Sequence, residues 1–377
     1  MLTTELEKRI AAAGGWIPFA EFMETALYAP GFGYYVTPRP LFGAAGDFVT
    51  APELSPLYAA CLASGVADLL ERAGGGDVVE LGAGSGALAC GLLPALLRLG
   101  APVARYLVVE PSPALAARQR ERIGADPALA GLADRFDWLE QPPTREWNGV
   151  ALANEVVDAL PVERFRVSVG GCEALGVVAT EVGFAFEPRP AGRELAAAVA
   201  SLQRALPAPM PPGYVSEWRP GQRAWLAGVA AALARGAILV ADYGLPRAQY
   251  YHPSRDGGTL CGFRRHLRVA DPLADPGLQD LTAWVDFTAL AEDGEAAGLA
   301  LGGFATQAHY LLETGIDQEL ERLVAAAGEA AGRSLRQDAA TLLLPGEMGE
   351  RFKLMVFARG IHGPFRGFGF RDLSASL

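Results

Sequence analysis

Cysteine and histidine are scarce in this chain of 377 residues, with four of each. The cysteines are far apart and no pair has C-x-x-C spacing, so we expect neither disulfides nor a thiolate metal site. No two histidines are three or four residues apart, the spacing that brings two zinc ligands together on one face of a helix. We therefore predict that the protein holds no metal ion.

Long apolar runs are also missing. No stretch approaches the ~20 apolar residues that are needed to span a bilayer. The N-terminal stretch MLTTELEKRIAAAGGWIPF carries acidic residues early and lacks an apolar core followed by a small-residue cleavage site. We expect no membrane insertion, no leader peptide and a cytoplasmic location.

Positive charge is in deficit: the chain has 32 lysine and arginine residues and 43 acidic residues, which gives a net charge of −11. A nucleic-acid partner needs a basic face, so this balance argues against one. The composition, 51% apolar and 20% charged, is typical of a globular protein. An acidic protein also suits a cationic substrate.

Strand-like and helix-like segments alternate through the middle of the chain. Short apolar strands are predicted over 77–82, 104–111, 135–140, 149–155, 237–244 and 350–360. Helices are predicted over 54–70 and 220–236. Helical segments also follow the first two strands, which indicates an α/β fold with a parallel sheet covered on both faces. The carboxyl ends of its strands would then share one edge, where ligands bind.

Other segments indicate how the chain is divided. Period-two alternation around Gly170 and Gly171 predicts an antiparallel hairpin inserted after the fourth strand. Gly- and Pro-rich loops are expected over 28–56 and 246–285. The predicted division is an N-terminal cap and cofactor-covering loop at 1–75, a core at 76–162, a β-rich and helical insertion at 163–235, and a second core part at 236–377.

The stretch VVELGAGSGAL (78–88) follows a predicted strand directly and predicts a ligand-binding turn. It lacks the lysine of a P-loop, which excludes that type of nucleotide site. A dinucleotide fingerprint fits loosely on Gly82, Gly84 and Ala87, with Glu110 as the ribose carboxylate.

The pattern E-x-G-x-G-x-G fits the same stretch better. It consists of Glu80, Gly82, Gly84 and Gly86, and it resembles the first motif of class I S-adenosylmethionine-dependent methyltransferases. The glycines would let the cofactor approach the strand-to-helix turn closely. In this interpretation Glu110 accepts both ribose hydroxyls.

The rest of the chain resembles the MidA-like methyltransferases, the family of the mitochondrial complex I assembly factor that methylates an arginine. The motifs that carry the resemblance are, in chain order, GDFVTAPELSP (46–56), ANEVVDALPVERF (153–165), ADYG (241–244), GTLCGFRRH (258–266), DLTAWVDF (280–287), TQAHYLLETGI (306–316) and MGERFKLMVFARG (348–360). The resemblance spans about Gly33 to Gly360. It implies a Rossmann-like, mostly parallel seven-stranded sheet, S-adenosylmethionine as cofactor, and a protein substrate that presents an arginine, such as a respiratory complex subunit. We also allow for a homodimer.

Three polar residues follow the fourth strand and are the predicted catalytic groups: Asn154, Glu155 and Asp158. A guanidinium has a pKa above about 12 and a delocalised charge. Carboxylates that bind one side of it could localise that charge and leave a lone pair on the reacting nitrogen. The alternative is that Asn154 and Asp158 cap the turn and bind backbone.

Further residues are predicted around the cofactor and the substrate. Asp137 and Trp138 would meet adenine, and Asp47, Thr50 and Glu53 would close over the amino acid end, unless Glu53 and Ser55 instead cap a helix. The predicted substrate pocket consists of Asp242, Tyr243, His266, Asp280, Thr282 and Gln307.

The chain departs from the family pattern at Trp284, where histidine is usual, and at His309, where an aromatic is usual. The glycine loop also reads Ala-Gly-Ser instead of Pro-Gly-Arg. Three other functions stay open at this stage: a small-molecule methyltransferase, an NAD-binding oxidoreductase, and a non-catalytic assembly chaperone on the same fold.

Overall fold

The computed structural model describes residues 2–37, 41, 43, 46–47 and 49–377. The chain forms two compact units. The first unit consists of 1–48, 157–222 and 245–289, and the second of 49–156, 223–244 and 290–377. Part of the loop predicted over 28–56 lies outside the described residues, and the four-part division made from the sequence stays a prediction.

The helices and strands are numbered along the chain. The helices are α1 Leu2–Ala12, α2 Phe19–Tyr28, α3 Ala51–Leu54, α4 Pro56–Ala73, α5 Ala87–Arg98, α6 Pro113–Ala125, α7 Arg193–Ala205, α8 Gln222–Ala230, α9 Arg247–Tyr250, α10 Phe287–Ala296, α11 Gln307–Glu313 and α12 Ile316–Leu343. The strands are β1 Gly76–Leu81, β2 Val103–Val109, β3 Phe136–Leu139, β4 Trp147–Asn154, β5 Glu163–Ser168, β6 Gly171–Thr180, β7 Gly183–Pro190, β8 Val215–Trp218, β9 Leu233–Leu245, β10 Cys261–Arg264, β11 Leu267–Val269, β12 Asp280–Thr282, β13 Val285–Asp286, β14 Ala300–Thr306 and β15 Phe352–Arg359.

The central sheet of the second unit confirms the predicted α/β class. Seven strands follow the order β14-β15-β9-β4-β1-β2-β3. The pairs among β9, β4, β1, β2 and β3 are parallel, whereas β15 runs antiparallel to both of its neighbours. The parallel strands read as nearly continuous apolar runs because both faces of the sheet are covered.

The register of the parallel strands sets the place of the site. Glu80 pairs with Val108 on one side and with Leu152 on the other, so β1, β2 and β4 end level with one another. On one face of this sheet α4 and α5 pack together, and Leu70 and Leu92 are fully buried in that layer. Residues that follow the carboxyl ends of these strands therefore lie along one edge.

The first unit contains the inserted hairpin that the sequence predicts. Strands β7-β6-β5-β8 form an antiparallel sheet, and β5 pairs with β6 across the turn at Gly170. Helix α7 packs on this sheet through Leu195, Val199 and Leu202. A second small sheet, β11-β10-β12, carries residues of the predicted substrate pocket.

Two helix predictions are wrong at their ends. The helix expected over 220–236 ends at Ala230, because Leu233 and Arg235 pair with β4 and continue as strand. The helix expected over 54–70 is split at Ser55, whose extended backbone separates α3 from α4. In both places tertiary pairing or capping overrides the helix propensity of neighbouring residues.

Within the described residues, the helices are too short or too polar to cross a membrane. The same part of the chain contains no group of three or more His, Cys, Asp or Glu side chains arranged to hold a metal ion.

Candidate methyltransferase site

The glycine loop after β1 has three residues in the left-handed backbone region. Gly82, Gly84 and Gly86 have φ values of 60°, 56° and 84°. Glycine adopts this region without the clash that a Cβ atom would bring. A Cβ at Gly82 would also lie 3.3 Å from Val156 Cγ2. The loop therefore needs glycine for its shape, and it leads directly into the N-terminus of α5.

Gln119 on α6 connects three parts of the predicted cofactor site. Its Nε2 donates hydrogen bonds to the Gly84 carbonyl at 3.0 Å and to Glu110 Oε2 at 3.0 Å. Its Oε1 accepts one from Trp138 Nε1 at 3.1 Å. Gln119 is fully buried, so its amide orientation is set by these partners.

Glu110 lies at the carboxyl end of β2, as predicted. Its Oε1 accepts a hydrogen bond from the Ser112 N–H at 2.9 Å, and its Oε2 accepts the one from Gln119. Burial raises the pKa of Glu110, while these two hydrogen bonds oppose that rise. A carboxylate oriented in this way can accept hydrogen bonds from the hydroxyls of a ribose.

Glu80 points into the interior of the second unit. Only 3% of the residue is exposed, and Tyr106 OH donates a hydrogen bond of 2.6 Å to Glu80 Oε2. Burial raises the pKa of Glu80 to about 7, against the effect of the Tyr106 hydrogen bond. The hydrogen bond between Glu80 and Tyr106 thus joins β1 to β2 next to the glycine loop.

Asp137 and Trp138 leave opposite faces of β3, because neighbouring side chains alternate along a strand. Trp138 joins Gln119, and the Arg120 guanidinium lies 4.7 Å from its ring centroid. Asp137 is exposed. The structure therefore brings Trp138, but not Asp137, to the Gln119 network.

Glu53 is held by the glycine loop and by α6. Arg122 Nη1 lies 2.6 Å from Glu53 Oε1, and Ser85 Oγ donates to the same oxygen. Ser55 Oγ accepts from the Leu57 N–H at 3.4 Å and caps α4, whereas Thr50, at the start of α3, makes no side-chain cap. Glu53 thus links the glycine loop, through Ser85, to Arg122 on α6.

The predicted catalytic residues Asn154 and Glu155 follow β4 directly. Tyr58 OH donates to Asn154 Oδ1 at 2.6 Å, and Asn154 Nδ2 donates to Glu155 Oε1 at 3.2 Å. Glu155 has φ of 54°, a left-handed conformation that costs a non-glycine residue about 1–3 kcal/mol. Its N–H donates to the Ala241 carbonyl at 2.8 Å, which fixes this backbone to β9.

Three residues of the predicted substrate pocket lie in the second unit. Asp242 is fully buried and accepts a hydrogen bond from the Tyr243 N–H, and the Tyr243 ring packs edge-on against Phe352. Gln307 is also fully buried and donates to the Leu342 carbonyl at 3.0 Å. Gln307 therefore links α11 to α12 in the interior.

Asp47 and His266 are joined in the first unit. The Asp47 carboxylate accepts from Tyr34 OH at 3.0 Å and from the Arg265 N–H at 2.8 Å, and the His266 N–H donates to the Asp47 carbonyl. The His266 residue is exposed, with φ of 62°. Asp47 thus holds the backbone of the turn at Arg265 and His266 in place.

Asp158, Asp280 and Thr282 also lie in the first unit, and each is 4% exposed. The Ala283 N–H donates to the Asp158 carbonyl at 3.1 Å, which joins the two segments. Tyr35 OH donates to Asp280 Oδ1 at 2.9 Å.

The two departures from the family pattern have local roles. Trp284 packs at the edge of the first unit's core, and the Arg255 guanidinium lies 5.2 Å from its ring centroid. His309 Nδ1 lies 2.8 Å from Thr306 Oγ1, at the start of α11. Burial lowers the pKa of His309.

A sequence model of the family described as "Putative S-adenosyl-L-methionine-dependent methyltransferase" matches residues 61–305. The chain belongs to this methyltransferase family. Its cofactor is S-adenosylmethionine, and the left-handed glycine loop with the buried Glu110 beside it fits that molecule. Membership of this family rules out the alternative of an NAD-binding oxidoreductase.

Two relatives and one solved structure agree with this assignment. The chain is 30% identical to the mitochondrial protein arginine methyltransferase NDUFAF7 of Homo sapiens over 91% of this chain and 80% of the relative. The zebrafish (Danio rerio) protein of the same name is also 30% identical, over 92% and 84%. A Burkholderia thailandensis protein solved with S-adenosyl-homocysteine is 42% identical, with a TM-score of 0.92 over 100% of this chain and 96% of that one.

Sequence reasoning missed Gln119 and Tyr58. Gln119 comes nine residues after Glu110, in the first helix after β2. A glutamine on the face of that helix that is expected to be buried could have indicated a positioning role. Tyr58 lies on the apolar face of α4, where its hydroxyl cannot be told from one that packs in a core.

Proposed function

We propose that this methyltransferase acts on an arginine guanidinium of a protein substrate. The observation that carries the proposal is the backbone of Glu155, held in the left-handed region next to Asn154 at the strand edge. Strain of this kind persists where the surroundings enforce it, and it is concentrated at active sites. The names of the relatives, protein arginine methyltransferases, support the choice of acceptor.

The chemistry suits a carboxylate in this position. S-adenosylmethionine supplies an electrophilic methyl group, which the acceptor nitrogen takes as that nitrogen loses one N–H proton. Glu155 would bind the guanidinium through charge-assisted hydrogen bonds and receive the proton. Asn154, held by Tyr58, would fix the orientation of that carboxylate.

The finer parts of the proposal rest on the family resemblance. These are a subunit of respiratory complex I as substrate and a role in assembly of that complex. The predicted cytoplasmic location and the homodimer also stay predictions. A small-molecule acceptor and a chaperone role are the alternatives that an experiment must separate.

The cellular test compares arginine methylation by mass spectrometry in cells that carry the wild-type protein, the Glu155→Gln variant, or neither. We expect one or a few arginines to be methylated only with the wild-type protein. Equal methylation in all three, with normal growth of the Glu155→Gln cells, would favour the chaperone.

A further inference from the structure

Two buried carboxylates lie close together in the first unit. Asp280 on β12 and Asp158 after β4 are each 4% exposed, and the Ala283–Asp158 backbone hydrogen bond holds their segments together. Burial, and then the negative charge of Asp158, raise the pKa of Asp280 to about 8. Asp47 contributes to this rise, while hydrogen bonds from Tyr35 and the Leu281 N–H oppose it.

Asp280 has no cationic partner: in the described part of the chain, no ion pair includes it. The nearby guanidinium of Arg219 is held by backbone carbonyls, including that of Ala283 at 2.8 Å. A buried carboxylate without a compensating charge is costly, and proteins retain such groups mainly where they have a function.

A second group on the same strand also lacks a partner. Thr282 Oγ1 is buried, and it makes no hydrogen bond within the residues described. Residues two apart on a strand point to one face, so Thr282 and Asp280 project together. A buried hydroxyl left unpaired costs about 1–3 kcal/mol, so this face has capacity for a hydrogen-bonding ligand.

Two tyrosine rings adjoin the carboxylates. Tyr28 and Tyr35 are stacked, with ring centroids 5.6 Å apart and an angle of 19° between their planes. Tyr28 is 37% exposed, so the aromatic pair reaches the surface of this unit. Flat aromatic faces beside carboxylates suit a planar guanidinium, which stacks and donates hydrogen bonds in its own plane.

We propose that Asp280, Asp158 and Thr282, flanked by Tyr28 and Tyr35, bind an alkylguanidinium group of the substrate. This rests on the proposed arginine acceptor and adds to it a guanidinium-binding site in the first unit. The carboxylates accept the guanidinium N–H groups, and the Thr282 hydroxyl accepts one more.

The direct test is isothermal titration of the purified full-length protein with ethylguanidinium as the probe. We expect a Kd on the order of millimolar, the range for a ligand of so few atoms, and weaker binding of ethylammonium. Asp280→Asn should weaken binding about tenfold or more, as expected for a lost charge-assisted hydrogen bond. Asp275→Asn is the matched control, because this exposed aspartate of the same unit pairs with Arg264 instead.

Two further measurements distinguish a loss of the binding site from a folding defect. Thr282→Val keeps the shape of the side chain but removes the unpaired hydroxyl, so it should weaken the probe by a few fold without lowering the thermal midpoint. Titrations at neutral pH in two buffers of different ionisation enthalpy should show proton release on binding to the wild type, but not to Asp280→Asn.

The outcomes separate this proposal from the proposed function. Absence of ethylguanidinium binding to the wild type, or equal binding by Asp280→Asn, overturns the guanidinium site even if arginine methylation is observed. Specific probe binding together with methylation of another residue type would leave the site in place and reject the arginine acceptor.

Discussion

Gln119 Nε2 lies 3.0 Å from Glu110 Oε2, and the second hydrogen of the same amide reaches the Gly84 carbonyl. One buried side chain therefore couples Glu110, the predicted ribose-binding carboxylate, to the glycine loop. Because its Oε1 also accepts a hydrogen bond from Trp138, displacement of Gln119 should disturb three parts of the predicted cofactor site together.

We predict that Gln119→Leu weakens binding of S-adenosyl-homocysteine about 10- to 100-fold, the effect of losing hydrogen bonds to a charged group. Isothermal titration measures this change. Gln337→Leu is the control, since Gln337 is an exposed glutamine on α12 of the same unit. Equal affinities of the Gln119→Leu and Gln337→Leu variants would contradict a positioning role for Gln119.

Gly82→Ala tests the shape of the loop. The added methyl group strains a left-handed residue by about 1–2 kcal/mol, and it meets Val156 at 3.3 Å. Gly100→Ala also places a non-glycine residue in the left-handed region, since Gly100 has φ of 70°, but the added methyl group meets no neighbouring atom within 4 Å. Both variants should lose stability in thermal unfolding, and only Gly82→Ala should also lose affinity for the cofactor.

Glu155→Gln should lower kcat about 10²- to 10³-fold, by analogy with the loss of one electrostatic group at a reacting centre. The affinity for S-adenosyl-homocysteine should not change. Tyr58→Phe should give a smaller loss in kcat, about tenfold, because it frees Asn154 without removing the carboxylate. The exposed Glu347→Gln variant serves as the control. A wild-type kcat in Glu155→Gln would refute the assigned role.

Glu80 makes stability depend on pH. Its pKa is raised from 4.5 to about 7 in the folded protein, so between these values the folded state keeps a proton that the unfolded state has released. The contribution of Glu80 to stability therefore falls as pH rises through that window. Glu80→Gln, which can still accept the Tyr106 hydrogen bond, removes this dependence.

The measurement is thermal unfolding of both proteins between about pH 5 and pH 8, with the difference between their midpoints plotted against pH. The Glu80→Gln variant should gain stability relative to the wild type as pH rises. A difference that stays constant across the range would show that Glu80 is ionised throughout.

The sequence was sufficient for the core of the fold because its parallel strands are short apolar runs that end in polar or glycine residues. It was insufficient for β14, where two glycines in ALGGFAT remove the usual strand signal. It was also insufficient for α12, whose hydrophobic face is interrupted by a non-helical backbone at Gly328.

The candidate site likewise contains features that the sequence could predict and features that it could not. The positions of Gly82, Glu110 and Glu155 directly after strands could be predicted, because strand ends depend on local sequence. Gln119 and Tyr35 could not, since their roles depend on which hydrogen-bond partners the folded chain brings to them.

The central claim is methyl transfer to arginine, and it is tested most directly by incubating the purified protein and labelled S-adenosylmethionine with an extract of cells that lack it. The labelled proteins are then hydrolysed and the labelled amino acid is identified. We predict labelled methylarginine with the wild type and none with Glu155→Gln. Label on lysine, nucleic acid or a small metabolite, with none on arginine, would contradict the account.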